Sequence, residues 1–165
     1  MATATPIFGS LVTMTCTLAS LASDANLLIG RETTARDQKD VDDCIDALLG
    51  GTITTGTSPT AAKQIEVWLY GSYDDTNFSA SATGADAGLT VTAESKSLMR
   101  LLTIIPTHAT SNTGYKWGPF SVAQAFGGII PVQWGAFIVH NTGVALHATG
   151  GNHEIEYFPV KFESA

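Results

Sequence analysis

The sequence predicts an all-β fold: an antiparallel β-sandwich, jelly-roll-like, of seven or eight strands with a flexible N-terminal arm. Three observations point there. Segments rich in β-branched and aromatic residues alternate apolar with polar positions, which is the period of a half-buried strand. Turn residues punctuate these segments at intervals of roughly eight to fifteen residues, as in antiparallel sandwiches. No stretch holds a helical period long enough for a full helix. With 165 residues the chain has single-domain length, and it divides into an arm over residues 1–10 and one domain over 11–165.

The clearest segment is Lys63 to Tyr73, KQIEVWLYGSY. Ile65, Val67 and Leu69 fall on one side of an extended chain and Glu66, Trp68 and Tyr70 on the other. Gly71 and the run Asp74-Asp75-Thr76-Asn77 end it with turn chemistry. Before it, residues 1–9 are rich in Ala and Thr and read as a mobile arm. Leu11 to Ala19 alternates Val12, Met14, Cys16 and Leu18 against Thr13, Thr15 and Thr17, predicting a first strand. Ala25 to Ile29 predicts a second.

Residues 37–46 carry Asp37, Asp40, Asp42, Asp43 and Asp46 around Val41 and Ile45. The spacing suits a short helix or a strand. The β-branched run Thr52-Ile53-Thr54-Thr55 favours the strand, with Gly50-Gly51 as a bulge. Residues 56–60 form a surface loop. Residues 74–88 hold few large apolar groups and predict an exposed excursion with no core of its own.

Leu98 to Ile105, closed by Pro106, reads as a buried strand. Tyr115 to Val122 is extended, and Pro119 marks it as an edge strand or a bend, because proline donates no ladder hydrogen bond. Residues 123–128 have room for one helical turn. Val132 to Asn141 is another strand. Residues 152–163 close the sandwich, with Ile155, Tyr157, Val160 and Phe162 expected in the core.

Composition excludes several functions. Charged residues make up 14% of the chain, against about 25% in an average soluble domain. The formal charge is −7 and no Lys/Arg cluster exists, so the counterion-releasing basic stripe of a nucleic-acid binder is missing. The longest apolar runs fall far short of the roughly 20 residues needed to cross a bilayer, and MATATPIFGS lacks the basic and apolar regions of a signal peptide. Cys16 and Cys44 lie far apart in apolar alternation and read as reduced core residues.

The candidate chemistry is sparse. His140, His147 and His153 cluster in sequence, but they lack the close His pairing with a same-strand carboxylate that a metal site in a β-barrel uses; solvent-exposed or hydrogen-bonded histidines are expected. The aspartates at 37–46 and Asp74-Asp75 resemble oxygen-rich Ca²⁺ sites without the spacing of an EF-hand. No nucleophile elbow, phosphate-binding glycine loop or singled-out carboxylate pair is present. The expectation is a protein that is not an enzyme, with no catalytic residue, no metal and no cofactor. Trp68, Trp117 and Trp134 are read as packing residues first and sugar platforms second.

Several segments carry a resemblance. Leu27-Leu28-Ile29-Gly30-Arg31-Glu32 comes first, followed by residues 51–60 (GTITTGTSPT) and Ile65-Glu66-Val67-Trp68-Leu69-Tyr70-Gly71-Ser72. Later come Trp117-Gly118-Pro119-Phe120-Ser121-Val122, Trp134-Gly135, His140-Asn141-Thr142-Gly143 and Gly150-Gly151-Asn152. Together, over most of residues 20–160, the chain resembles virion structural proteins of tailed bacteriophages. The resemblance implies a β-sandwich decoration (cement) protein that sits as a dimer or trimer on the outer surface of the phage head. Its partners would be the major capsid protein and itself, with no nucleic acid and no membrane, and it would be made in the host cytoplasm. The matching positions are turn and strand residues, so no functional residue transfers.

The residues expected to reach other proteins lie in the arm and around the excursion: Ala2, Thr3, Pro6 and Phe8, then Trp68, Tyr73, Asp74, Asp75 and Phe78. The rival readings are a carbohydrate-binding module on the virion, using Trp68, and a tail-tube or other tail structural protein.

Overall fold

The computed structural model describes residues 4–38 and 43–164. Among them are eleven strands and two single-turn helices: β1 (Ala4–Phe8), β2 (Val12–Thr13), β3 (Ile29–Glu32), β4 (Arg36–Asp37), β5 (Asp46–Thr54), β6 (Lys63–Ser72), β7 (Ala87–Thr90), α1 (Ala93–Lys96), β8 (Arg100–Thr107), β9 (Gly114–Ser121), α2 (Val122–Ala125), β10 (Gln133–His140) and β11 (Glu154–Ser164). They form two antiparallel sheets packed as an all-β sandwich. The five-stranded sheet runs β1-β11-β5-β9, with β2 also on β11; the six-stranded sheet runs β7-β3-β10-β6-β8, with β4 also on β10. The count exceeds the seven or eight strands expected because short pieces (β1, β4 and β7) pair on the sheets where the sequence shows no sustained alternation.

Period-two patterning places the main core between the sheets. Ile65, Val67 and Leu69 of β6 and Trp134, Ala136 and Ile138 of β10 face Leu49, Ile53, Ile155 and Tyr157 of the other sheet, and all are buried. Trp134 and Tyr157 meet edge to face with ring centroids 5.3 Å apart, a geometry the ring quadrupoles favour. The strand expected over 63–73 is therefore present as β6, and it lies inside the sheet, between β10 and β8.

Other expectations change. The arm expected over residues 1–10 forms a strand over Ala4–Phe8, paired with β11 from Ala4↔Ser164 to Phe8↔Val160. Leu11–Ala19 is a ladder only at Val12 and Thr13. Beyond them the chain crosses between the sheets: Met14 N donates to Ile155 O on one sheet, and Thr15 O accepts from Thr34 N beside the other. Residues 25–29 are a turn followed by the first residue of β3, because the Asp24 carboxylate takes the amides of Asn26, Leu28 and Ile29. Those hydrogen bonds, the one from Leu28 first, hold the Asp24 carboxyl below its ordinary pKa.

The run expected to be a buried strand over 98–105 is β8, an edge strand that continues through Pro106. It leaves Leu101 and Ile104 exposed, and an edge tolerates the missing proline donor. In β5 the register slips between Leu49 and Gly51, which is the bulge anticipated at Gly50-Gly51. Asp40 and Asp42 of the aspartate cluster lie outside the described residues.

Candidate functional site

The two outer faces of the sandwich have opposite fates. On the six-stranded sheet, alternation sends Trp68 and Tyr70 of β6 and Phe137 and Val139 of β10 outward, where they meet a second apolar cluster: Ala80, Ala82, Leu89, Val91 and Met99, with Phe78 at its margin. The excursion over 74–88 is exposed at residues 74–77, as expected, but its middle is laid across the sheet through Ala80 and Ala82. Its small residues suit that role. Ala80 and Ala82 approach closely where the large side chains are supplied by the strands beneath. Gly135 serves the same packing from within the sheet, since a β-carbon there would fall 2.3 Å from the Tyr70 ring.

Two buried carboxylates from the strands fasten this cover. Glu32 of β3, fully buried, accepts hydrogen bonds from Thr83 N at 2.9 Å, Thr83 Oγ1 at 2.8 Å and Gly84 N at 3.2 Å. Glu66 of β6 accepts from Lys96 Nζ and Trp68 Nε1, each at 2.7 Å, and from Gln64 Nε2 at 2.6 Å. Lys96, the last residue of α1, also donates to Leu27 O and sits 4.7 Å above the Trp68 ring. A buried charge survives only when paired and hydrogen-bonded, and both conditions are met here. At the rim, Asp86 binds Arg31 Nε at 2.6 Å and the amide and hydroxyl of Thr17.

This geometry settles where the expected contact residues of the excursion lie. Trp68 is half-buried between Lys96 and the cover, so its ring is no open platform; Trp117 and Trp134 are buried as well. Phe78 is half-buried, edge-on to Tyr70 at 5.5 Å. Asp74 closes its own turn by accepting from Ser72, Thr76 and Asn77, and the Asn77 side chain leads in lowering its pKa. Asp75 accepts from Gln133 Nε2. Tyr73 is 85% exposed, and Asp74 and Asp75 beside it are exposed as well.

The outer face of the five-stranded sheet has no such cover. The register puts Glu154, Glu156, Phe158, Val160 and Phe162 of β11 on one face, with Leu48, Gly50 and Thr52 of β5 beside them and Pro6 and Phe8 of β1 at the flank. Phe8 is 65% exposed, Phe162 59% and Phe158 40%. Beside Phe8 and Phe158 lies an open trough of about 530 Å³, floored by Gly50, Gly51 and Gly118, walled by Phe8, Leu11, Leu48 and Phe158, and flanked by Lys116, Glu154 and Glu156. The floor is deep because β9 crowds β5 there. A β-carbon at Gly50 would fall 2.8 Å from Trp117 O, so no side chain fits. Pro6 and Phe8, expected contact residues, are in this surface, while Ala2 and Thr3 lie outside the described residues.

His140 and His153 are hydrogen-bonded internally. His140 is buried, its Nδ1 2.9 Å from Thr142 Oγ1 and its Nε2 3.0 Å from Leu21 O; burial lowers its pKa. His153 Nε2 contacts His147 O at 2.8 Å, and its pKa is lowered as well, again first by burial. Among the described residues no three His, Cys, Asp or Glu side chains are grouped to hold a metal ion. Cys16 and Cys44 are not joined in a disulfide, and the Cys44 thiol donates to Gln38 Oε1. Burial pushes the Cys16 thiol far up, which leaves it inert as a nucleophile.

Sequence reasoning missed Leu11, Leu48 and Phe158 and assigned Val160 and Phe162 to the core, whereas both lie on the outer face. The signal was present. Ile155, Tyr157 and Pro159 continue one parity across the proline, so Phe158, Val160 and Phe162 follow Glu154 and Glu156 to the outside. No family model, curated protein or solved structure matches the chain.

Proposed function

We propose that this chain is a non-enzymatic virion structural protein, a decoration (cement) protein bound to the outer surface of a phage head. The observation that carries the reading is the bare outer face of the five-stranded sheet. A domain seldom leaves three phenylalanines exposed on one sheet face, two of them lining an open trough, unless another protein covers them. The low content of charged side chains and the resemblance to phage virion proteins support the same role. The net charge of −7 favours the outside of a shell over an inner wall that faces packaged DNA. A repeated lattice would multiply modest contacts into firm attachment by raising the effective concentration of each successive one.

The test is co-sedimentation with capsids assembled from the major capsid protein encoded with it. Saturable binding at micromolar concentration, weakened when Phe8 and Phe158 are both replaced by serine, supports the role. Absence of binding to such capsids overturns it.

A further inference from the structure

We infer that the end of β11 beyond Val160 is a strand-addition site, completed by an extended segment of the partner protein that reads base, apolar, acid. The inference rests on the assembly reading above and names the part of the partner that reaches this end of the bare face. It is carried by the unequal lengths of β5 and β11.

β5 accompanies β11 only as far as Asp46, opposite Val160. At Ile45 the chain bends away, its N–H donating to Val160 O at 2.8 Å. β11 runs on to Ser164, and β1 alone follows it there, from Ile7↔Lys161 to Ala4↔Ser164. Among the described residues no strand pairs with residues 161–164 on the β5 side. The sheet therefore ends in a two-stranded ribbon, and two strands without a third are marginal in water.

The free edge of this ribbon is that of β11. In an antiparallel ladder the N–H and C=O of one residue point to the same side, and successive residues alternate. Pro159 O accepts from Gly9 N and Ile155 O from Met14 N, whereas Val160 O accepts from Ile45 N. Odd positions thus serve the β1 and β2 side and even positions the β5 side, so the N–H and C=O of Phe162 face the vacated row. Pro6 fits this phase. It stands opposite Phe162, at a pair that exchanges no hydrogen bond, where a missing N–H costs the ladder nothing. The same phase turns Pro6 to the outer edge of β1, and a proline there blocks strand addition.

An added strand would exchange both hydrogen bonds with Phe162. Taken antiparallel, like the ladders of both sheets, its central residue lies on the outer face beside the exposed Phe162 ring. An apolar side chain there extends the surface of Val160 and Phe158. Its neighbours come beside Glu163 and Lys161, which no ion pair among the described residues engages. Opposite charges across a ladder are favoured. From its N-terminus the segment is therefore Lys or Arg, a β-branched or aromatic residue, then Asp or Glu. The next position, opposite Val160, is held by Asp46, so the segment must turn away after its acid. That requirement excludes a second copy. Its own Lys161-Phe162-Glu163 has the right pattern, but its Ser164, fixed in the ladder to Ala4, would fall on Asp46.

Hydrogen exchange resolved to single amides, together with binding to the capsids described above, tests this. In the free chain the Phe162 amide should exchange about tenfold or more faster than those of Lys161 and Glu163, which the β1 ladder occupies, and on capsids it should become protected. Phe162→Pro should weaken capsid binding about tenfold or more beyond Phe162→Ala, because only the proline removes the donor; circular dichroism and thermal melting should not distinguish the two variants. Equal binding of both variants overturns the inference. So does a Phe162 amide protected in the free chain, whether at every concentration or only at those where a second copy fills the row. Capsid binding that depends on Phe8 and Phe158 but not on the Phe162 amide sinks the strand-addition site and leaves the assembly reading standing. If no capsid binding occurs, the assembly reading falls, and titration with the capped peptide Thr-Lys-Val-Glu-Thr decides alone. A saturable shift of the Phe162 amide signal at millimolar peptide then upholds the site, and its absence overturns it.

Discussion

The two outer faces of this sandwich start from the same kind of sequence and end differently. Each presents aromatic side chains in a strand alternation: Trp68, Tyr70 and Phe137 on the six-stranded sheet, Phe158 and Phe162 on the other. The first set is roofed by the stretch from Phe78 to Met99 and becomes a second core. The second set stays in solvent. What separates them is the polar residues interleaved with the aromatics. Glu66 and Glu32 find fixed donors in Lys96, Thr83 and Gly84, so the cover has something to lock onto. Glu154 and Glu156 flank an open trough instead. The same chemistry serves cohesion on one side and leaves a docking surface on the other.

The comparison breaks most visibly if the covered face proves dispensable. Phe137→Ala, at a fully buried position, should destabilise the fold by about 4 kcal/mol in urea titration; a loss below about 1 kcal/mol would mean that the second cluster is not a core. Lys96→Met should lower stability by about 3 kcal/mol, because the buried Glu66 carboxylate loses its counter-charge while Gln64 and Trp68 still hold it in place. Equal stability of variant and parent would show that the cation is not needed to hold the cover.

The pH dependence sharpens the picture at intermediate size. His140 has a folded pKa below its ordinary value of 6.5 because it is buried. The unfolded chain therefore takes up the proton first, and stability present above about pH 6.5 should fall below it. Burial works to raise the Asp86 pKa, but the hydrogen bonds from Arg31 and Thr17 outweigh it and leave the pKa lowered from 3.8. Its contribution is present above that value and should be lost as the pH drops through the lower folded value. Asp86→Asn should flatten this second decline and leave the first intact, in melts followed from pH 8 to about 2. An unchanged acid limb would remove Asp86 from the account.

The smallest expected change in folding stability comes from the bare face. Phe158→Ser should cost the folded monomer under about 1 kcal/mol by chemical denaturation, as for an exposed position, while reducing its association with other protein. A loss as large as that of Phe137→Ala would mean that the two faces do not differ.

Much of the fold was legible residue by residue. The alternation through Ile65-Val67-Leu69 and Trp134-Ala136-Ile138 reports strands whose inner faces meet, and Pro119 marks an edge. The parts that misled are those decided by contacts that hydrophobic periodicity does not register. Asp24 turns residues 25–28 away from a strand through amides only two to five residues on, a local capture that hydrophobic periodicity does not register. The Ser/Ala/Gly-rich excursion looks coreless because the large side chains of its core belong to β6 and β10. The bare face was half visible: Phe8 and Pro6 were expected at a contact surface, while Phe158 and Leu48 were hidden by a parity that had to be followed through Pro159.

Composition and alternation alone determined that this chain is a β-sandwich with a hydroxyl-rich, weakly charged surface, because strand period and turn chemistry are local properties. Which sheet face is roofed and which is left open was decided only in three dimensions. A carboxylate becomes a fastener of the cover according to whether a donor from that cover arrives beside it, and the chain's own folding brought such donors to Glu32 and Glu66.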